Sequence, residues 1–265
     1  MKIPEYHSIE NIKKQYCTGE EPVLALCSDL NEYVCKYMRS SSTPYKLICE
    51  IIGAISANIW ELKIPDFALV KLLPEHWTPF RNVNLSAPAF GSKIEQTVID
   101  VSSTWNNEII PTSAIQQQIA KIALFDIWMA NEDRNWNNAN MLYDVTTNEL
   151  LVIDHGCILN TATFDFDLSL LTQNETILYS DLAHFILSDI SDNTSNKLIF
   201  NLEVFFKSLL DRREEFISCV LDNIPVAWNV NLDLVRFKLN QLFEKKWIEN
   251  CWETFVEYYN ESKNG

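Results

Sequence analysis

Residues 131–156 read NEDRNWNNANMLYDVTTNELLVIDHG, a stretch in which polar and apolar blocks alternate. A polar segment at 131–140 precedes the apolar run Met141-Leu142-Tyr143, and a second apolar run follows at 150–153. Short apolar runs bounded by Asn and Asp are typical of β-strands. The stretch therefore predicts a polar loop, a short strand, a turn and a second strand that ends at Asp154.

The polar groups of this stretch follow the order that a phosphoryl-transfer site needs. Such a site places one carboxylate on a loop beside the acceptor hydroxyl, and an amide a few residues later holds a metal ion. A second carboxylate, at the end of the next strand, also binds the metal. We predict that Asp133 orients the hydroxyl and takes its proton, and that Asp154 binds Mg²⁺. A surface β-hairpin with polar ends is the alternative, which the combined pattern disfavours.

Two asparagines compete for the amide position. Asn138 has the five-residue offset from Asp133 that is usual in kinase loops, whereas Asn140 lies directly before the apolar strand, where this ligand usually sits. The sequence leaves both open as metal ligands. Arg134 is either a partner of a phosphate or carboxylate, or a structural residue beneath the loop. Asn131 is expected to brace the loop through hydrogen bonds to its backbone.

A lysine and a glutamate in the first part of the chain complete the expected site. Lys36 ends a predicted strand, and Glu50 follows 14 residues later within a predicted helix. A nucleotide site uses a strand lysine to neutralise phosphates and a helix glutamate to hold that lysine. Taken alone, each is better explained as an exposed charge, but with the downstream loop we assign both to nucleotide binding.

Gly19 lies in the turn before the first expected strand, where a phosphate-covering loop would sit. It is the third assigned nucleotide-binding residue, although the neighbouring Glu20 and Glu21 would repel phosphate if they pointed inward. An ordinary turn is the alternative. His155, next to the metal carboxylate, is expected to be a structural histidine rather than a general acid or base.

Apolar periodicity predicts strands and helices along the chain. The expected strands lie at 22–27, 33–38 and 66–72. The expected helices lie at about 45–60, with a cap in Ser42-Thr43-Pro44, and at about 111–130. After residue 175, two apolar stripes mark further helices: Leu198, Leu202, Phe205 and Leu209, then Val235, Leu239, Leu242 and Phe243.

Residues 74–95 are the predicted boundary between two lobes, because three prolines and Gly91 interrupt the periodicity there. Within them, Phe90-Gly91-Ser92-Lys93 is expected to be a polar loop or a plain turn. The predicted fold class is α+β with two lobes. A small strand-rich N-lobe at 1–78 would bind nucleotide phosphates, and a larger, mostly helical C-lobe at 79–265 would carry the catalytic loop.

Composition narrows the function further. The net charge of −15 opposes direct binding to nucleic acid or to an anionic membrane surface. The seven cysteines are odd in number and form no Cys-x-x-Cys pair, which indicates reduced thiols in a cytoplasmic protein rather than disulfides or a zinc site. Neither a signal peptide nor a transmembrane segment is expected.

Taken in order, these motifs resemble the HipA-like kinase family, and the likeness covers roughly residues 12–160. The matching segments are Tyr33-Val34-Cys35-Lys36, Glu50, Leu62-Lys63-Ile64-Pro65-Asp66-Phe67-Ala68-Leu69-Val70, Phe90-Gly91-Ser92, Asn131-Glu132-Asp133-Arg134, Asn138-Ala139-Asn140 and Ile153-Asp154-His155-Gly156. Their order and spacing carry the resemblance, rather than any one motif. It implies a protein-kinase-like fold, the cofactors ATP and Mg²⁺, and phosphoryl transfer to a Ser or Thr hydroxyl.

Two departures from the family pattern bear on these expectations. Ala139 stands where the family usually has Pro, which loosens the loop, and the single Gly19 puts a phosphate lid in doubt. Some family members are toxins paired with an antitoxin, so a protein substrate and an antitoxin or other regulatory partner are the partners considered. Two other functions stay open, a nucleotide-binding pseudokinase that acts as an interaction module and a small-molecule kinase.

Overall fold

The computed structural model describes residues 1–17, 19–39, 44–77, 83–101, 109–160, 164 and 166–264. Strands dominate the first part of the chain and helices the second, which confirms the predicted α+β fold with two lobes. The expected capping residues Ser42 and Thr43 lie outside the described residues. In the described part of the chain, no helix has the length and apolar character needed to cross a membrane.

A six-stranded sheet forms most of the N-lobe. Its strands are β1 (Glu5–His7), β2 (Lys14–Gln15), β3 (Val23–Leu26), β4 (Glu32–Lys36), β5 (Phe67–Lys71) and β6 (Ala89–Lys93). They are arranged in the order β1-β5-β6-β4-β3-β2, and every pair is antiparallel except β1 with β5. The predicted hairpin is β3–β4, and its turn is fixed by Asp29, whose carboxylate accepts a hydrogen bond from the Tyr33 hydroxyl (2.8 Å).

Strand β6 corrects two expectations. Residues 74–95 are not irregular throughout, and Phe90-Gly91-Ser92-Lys93 is neither a polar loop nor a turn, because it pairs with β4 and β5. Gly and Ser are weak strand formers, which hid the strand in the sequence. A Cβ at Gly91 would lie 2.7 Å from Val70 Cγ2, so the missing side chain lets Val70 cover this strand. The lobe boundary at residue 78 stays a prediction, although the N-lobe sheet includes a strand from beyond it.

A smaller sheet and most of the helices form the C-lobe. The strands β7 (Val98–Asp100), β8 (Met141–Asp144) and β9 (Glu149–Val152) pair antiparallel in this order, and β8–β9 is the hairpin predicted from residues 131–156. Among the described residues, the α-helices are α1 (Tyr45–Ile59), α2 (Ser113–Met129), α3 (Asp181–Leu187), α4 (Asp192–Ser208), α5 (Arg213–Leu221), α6 (Leu232–Gln241) and α7 (Lys245–Asn264).

Both helices predicted before residue 175 are confirmed to within about two residues. Thr112 caps α2, since its hydroxyl accepts a hydrogen bond from the Ile115 N–H (3.3 Å). The apolar stripes predicted after residue 175 are buried, apart from the partly buried Phe205. The seven cysteines all lie within the described residues and form no disulfide.

One apolar core extends from α1 into the C-lobe and joins the two lobes. Helix α1 is enclosed, because every residue from Leu47 to Ala57 is buried. Trp60 follows α1, and its ring lies 5.4 Å from the rings of Phe125 and Trp128 on α2 and 5.5 Å from that of Phe205 on α4. Trp60 therefore fixes the end of the N-lobe helix on the helices of the C-lobe.

We expect Trp60→Ala to lower the free energy of unfolding by about 3–5 kcal/mol, because the cavity it leaves is completely buried. Trp60→Phe should cost much less. It keeps an aromatic ring in contact with its neighbours and removes an indole N–H for which the described residues offer no hydrogen-bond partner. Urea unfolding followed by circular dichroism measures both variants. Equal losses for Ala and Phe would contradict this role of the ring.

Candidate active site

Three charged side chains from distant parts of the chain meet in one cluster. The Lys36 ammonium lies 2.5 Å from Glu50 Oε1 and 2.6 Å from Asp154 Oδ1. Only 13% of the Lys36 side chain and 2% of the Glu50 side chain are exposed. The alternative that these two residues are ordinary solvent-exposed charges is therefore excluded.

Local structure aims each of the three groups at the others. Side chains alternate along β4, so that Tyr33 and Cys35 are buried in the sheet while Val34 and Lys36 face the cleft. Glu50 lies in the second turn of α1. Asp154 follows β9 by two residues and has φ = 55°, in the left-handed region that residues other than glycine rarely adopt.

Glu50 connects the lysine to the loop that carries Asp154. One oxygen of Glu50 accepts the Lys36 hydrogen bond, and the other accepts a hydrogen bond from the His155 N–H (3.1 Å). Burial raises the pKa of Glu50 to about 7, although the Lys36 charge acts in the opposite direction. The ionised form of the buried Glu50 carboxylate is thus stabilised by the Lys36 ammonium and the His155 N–H.

The cluster also determines the ionisation states of Lys36 and Asp154. Burial acts to lower the pKa of Lys36, but the carboxylates of Glu50, Asp154 and Glu20 outweigh it and raise this pKa well above its usual value. Burial acts to raise the pKa of Asp154, but the Lys36 charge and hydrogen bond lower it overall. At neutral pH the site therefore presents a cationic lysine and an ionised Asp154.

The loop at 131–140 has its own hydrogen-bond network. The side-chain amide of Asn140 donates to Asp133 Oδ2 (2.9 Å), which leaves the Asn140 amide oxygen for another partner. Asn131 braces the loop as expected, since its amide oxygen accepts from the Asp133 N–H (3.4 Å). The backbone of Asn138 pairs with Asn135 in a tight turn. Of the two candidate ligands, Asn140 is the one directly bonded to Asp133.

Arg134 is a structural residue beneath the loop, which was one of the two interpretations of its role. Its guanidinium is completely buried and forms an ion pair with the equally buried Asp126 on α2. It also donates to the backbone oxygens of Asn140 (3.3 Å) and Ile153 (2.9 Å). Burial raises the pKa of Asp126 to about 6, while Arg134 and Asn131 act to lower it. Arg134 therefore joins the loop of Asp133 to the strand end before Asp154.

His155 is buried, as the structural interpretation required. Its ring packs edge-on against Phe125, and burial holds its pKa well below the usual value, so the imidazole is neutral. Gly53 of α1 makes room for it, because a Cβ at this position would lie 2.2 Å from the His155 Cβ. The loop of Asp154 thus approaches α1 only because residue 53 is glycine.

In the turn at 19–21, a glutamate rather than the glycine faces the cluster. Gly19 has open space around it, and Thr18 lies outside the described residues. Glu20 points inward, with Oε2 3.6 Å from the Lys36 ammonium and Oε1 3.0 Å from the ammonium of Lys46. A carboxylate therefore occupies the place next to Lys36 where a phosphate was expected.

A cavity of about 480 Å³ opens beside the cluster, between the six-stranded sheet and the C-lobe strands. Apolar side chains supply much of its wall, among them Val34, Phe67, Phe90, Leu142 and Val152. Lys36, Glu50 and Asp154 are also among the lining residues, whereas Asp133 and Asn140 are not. A flat apolar group would find a complementary surface here, next to the Lys36 ammonium.

Four residues that shape this site were not predicted from the sequence: Glu20, with its inward-pointing carboxylate, Lys46, Gly53 and Asp126. Lys46 carried a usable signal, because it precedes Glu50 by four residues on α1 and so shares its face. Asp126 precedes Arg134 by eight residues, and no periodicity links a helix residue to a loop residue. Gly53 lies inside a helix, where a glycine usually serves close packing.

A strand lysine held by a helix glutamate, beside a carboxylate that follows a later strand, is the arrangement of protein-kinase-like enzymes. The family model described as HipA-like kinase matches residues 9–254. The chain therefore belongs to the HipA-like kinase family and is a kinase, which confirms the resemblance seen in the sequence.

The comparison with solved structures agrees in fold. The Helicobacter pylori proinflammatory kinase CtkA matches with a TM-score of 0.60 at 13% identity, over 96% of this chain and 98% of that one. The FAT and kinase domain of CtTel1 matches with a TM-score of 0.46 at 12% identity, over 95% of this chain and 23% of that one, a score too low to carry weight. A search of curated proteins gives no match.

We expect Gly53→Ala to lower the free energy of unfolding by about 2 kcal/mol or more, because the added methyl displaces His155 and breaks the Glu50 hydrogen bond to its N–H. Gly19→Ala is the matched control. A Cβ there has no neighbour within 4 Å among the described residues, so stability should change by less than about 0.5 kcal/mol. Similar effects of the two changes in chemical unfolding would refute the close approach of α1 and the loop.

We expect Arg134→Met to lower the free energy of unfolding by about 3–5 kcal/mol at pH 8, since Asp126 is left buried without its cation. The deficit should shrink at pH 5. The pKa of Asp126 in the folded protein already lies above its unfolded value, at about 6, and losing Arg134 raises it further. At Asp126 the folded variant then binds the proton more tightly than the unfolded chain, so the contribution of this group to stability is greatest at low pH and falls as pH rises. Unfolding curves at both pH values test this, and a pH-independent deficit would contradict it.

Proposed function

We propose that this kinase uses ATP and Mg²⁺ and transfers the terminal phosphoryl group to a Ser or Thr hydroxyl of a protein. The observation that carries the proposal is the position of the Lys36 ammonium, 2.5 Å from Glu50 and 2.6 Å from Asp154, beside a cavity with apolar walls. A nucleotide needs an apolar slot for its base and a fixed cation for its phosphates, and these occur side by side here.

The lining of the cavity supports the proposal that ATP binds here. A volume of about 480 Å³ lies within the range of small-molecule sites, and Val34, Phe90 and Leu142 give apolar contacts suited to an adenine ring. Lys36 would neutralise the α- and β-phosphates while Glu50 holds it in one rotamer. Gly19, in the turn before β3, would approach the phosphates through its backbone, because it has no side chain in the way.

The donor set suits a hard divalent cation. Asp154 is ionised and 40% exposed, and the Asn140 amide oxygen is left free by the bond from its nitrogen to Asp133. In the described part of the chain, no group of three or more His, Cys, Asp or Glu is placed to hold a metal. A site with only Asp154 and one amide oxygen fits Mg²⁺, because this ion takes few protein oxygens and completes its shell with water and phosphate oxygens. We assign Asp154 and Asn140 as its ligands, with Asn138 as the second choice.

The chain's own residues would act mainly by position and charge. Asp133 would accept the hydrogen bond of the acceptor hydroxyl and take its proton, and the Asn140 amide keeps the Asp133 carboxylate in place. Lys36 would neutralise phosphate charge. The bound Mg²⁺ would supply further neutralisation of the phosphate oxygens. Because the transition state is loose, aligning the hydroxyl with the phosphate accounts for most of the catalysis.

The partners follow from this proposal. A protein with an exposed Ser or Thr would be the substrate, and an antitoxin or other regulatory protein is a second partner to look for. The net charge of −15 favours partners with basic surfaces over nucleic acid.

The proposal is tested with two variants whose effects differ. We expect Asp154→Asn to lose the thermal shift caused by Mg-ATP and all phosphoryl transfer. Asp133→Asn should keep that shift but transfer about 10²- to 10⁴-fold more slowly, because only the proton acceptor is removed. Nucleotide at 100 times its Kd stabilises a protein by about 2.7 kcal/mol, so the shift is measurable.

Transfer is followed with γ-labelled ATP and a protein acceptor, and hydrolysis of the product identifies phosphoserine and phosphothreonine. Glu214→Gln, an exposed change on α5, is the control and should behave as wild type. A Mg-ATP shift with no transfer to any protein would leave the pseudokinase or the small-molecule kinase. Neither shift nor transfer in the wild type would overturn the assignment of ATP.

A further inference from the structure

One carboxylate in the site bridges two ammonium groups. Glu20 lies with Oε2 3.6 Å from the nitrogen of Lys36 and Oε1 3.0 Å from the nitrogen of Lys46. The Glu20 side chain is 27% exposed and that of Lys36 only 13%, so the Glu20–Lys36 contact is partly withdrawn from solvent, whereas the Lys46 side chain is 46% exposed. Two cations that share one carboxylate form a site for a small anionic group.

The geometry of α1 explains why Lys46 takes part. Lys46 and Glu50 are four residues apart and therefore lie on the same face of the helix, one turn from each other. Glu50 holds Lys36, and Lys46, one helical turn earlier, contacts the Glu20 carboxylate that also contacts Lys36. A second cavity of about 210 Å³ shares Lys36 with the first and also includes Gly19, Glu20 and Lys46 in its lining, so a ligand group has room beside Glu20.

Glu20 is the component that a nucleotide must displace. Phosphate groups carry more charge than a carboxylate and offer more acceptor oxygens, so they can replace Glu20 between the two ammonium groups. A carboxylate left in place would repel them. When a phosphate replaces Glu20, Lys46 keeps an anionic partner. A phosphate that entered while Glu20 stayed in place would instead lie next to a group of like charge.

We infer that Lys46 is a second phosphate-binding residue of the nucleotide site, and that the Glu20 carboxylate occupies the phosphate position until nucleotide replaces it. This inference rests on the proposed binding of ATP and goes beyond it in naming a further binding residue and an internal competitor. Glu20 weakens ATP binding, and Lys46 strengthens it. Neither residue affects a nucleoside that has no phosphate.

The test measures Kd for Mg-ATP and for adenosine by calorimetry on four full-length proteins: wild type, Glu20→Gln, Lys46→Met and the double variant. Glu20→Gln should bind ATP about 2- to 5-fold more tightly, the range expected for release of a partly exposed ion pair. Lys46→Met should bind ATP about tenfold more weakly, because a charge-assisted bond to phosphate is lost. Adenosine affinity should change less than twofold in all four proteins.

The double variant separates phosphate binding from a structural role. If Glu20 and phosphate compete for Lys46, then Lys46→Met should weaken ATP binding more in the Glu20→Gln background than in the wild type. A structural role would instead weaken adenosine and ATP alike and lower the thermal stability of the ligand-free protein. Circular dichroism and thermal unfolding without ligand check that the variants fold.

Glu21→Gln is the matched control, because it removes the same charge from the same turn. Glu21 is 54% exposed and pairs with Arg39 (3.1 Å) instead of the two lysines. Its ATP affinity should equal that of the wild type within twofold. Equal gains from Glu20→Gln and Glu21→Gln, or unchanged ATP binding by Lys46→Met, would overturn the inference. If the wild type binds adenosine but not ATP, or neither, the proposed ATP site fails and the inference with it.

Discussion

The ion pair of Lys36 with Glu50 is the interaction on which the rest of the site depends. Glu50 is almost completely buried, and a buried carboxylate without partners would be protonated or would destabilise the fold by several kcal/mol. Its two oxygens take the Lys36 ammonium and the His155 N–H, so that one side chain joins the sheet, α1 and the loop of Asp154. The position of Asp154 is therefore set by a requirement of charge burial.

A second buried ion pair performs the corresponding task from the C-lobe. Arg134 and Asp126 are both inaccessible to solvent, and the remaining guanidinium donors bind the backbone oxygens of Asn140 and Ile153. The residues on either side of Asp154 are thus held by different networks, Ile153 by Arg134 and His155 by Glu50. This double support explains how Asp154 retains a left-handed backbone conformation, which costs free energy for a residue with a Cβ.

The sequence predicted those features that depend on order and local periodicity. The hairpin of β8 and β9, the enclosed helix α1 and the residues Lys36, Glu50 and Asp154 came from motifs whose spacing constrains where they fold. Strand β6 was not predicted, because its Gly91 is explained by Val70 and Tyr33 on the two neighbouring strands rather than by any local pattern. The inward direction of Glu20 likewise depends on two lysines from other elements, and no local pattern encodes such a contact.

The proposed function requires a protein of net charge −15 to bind a polyanion, and the balance of charge in the cleft bears on that requirement. Lys36 and Lys46 face the carboxylates of Glu20, Glu50 and Asp154, so the positive charge of the resting cleft is already balanced before a ligand binds. Glu50 is too deeply buried to meet a ligand. In the proposed function, Asp154 would become an attractive group once a divalent cation binds it, and Glu20 would cease to repel once it leaves the lysines. Such a cleft would favour a phosphate that arrives with its own cation over a free anion.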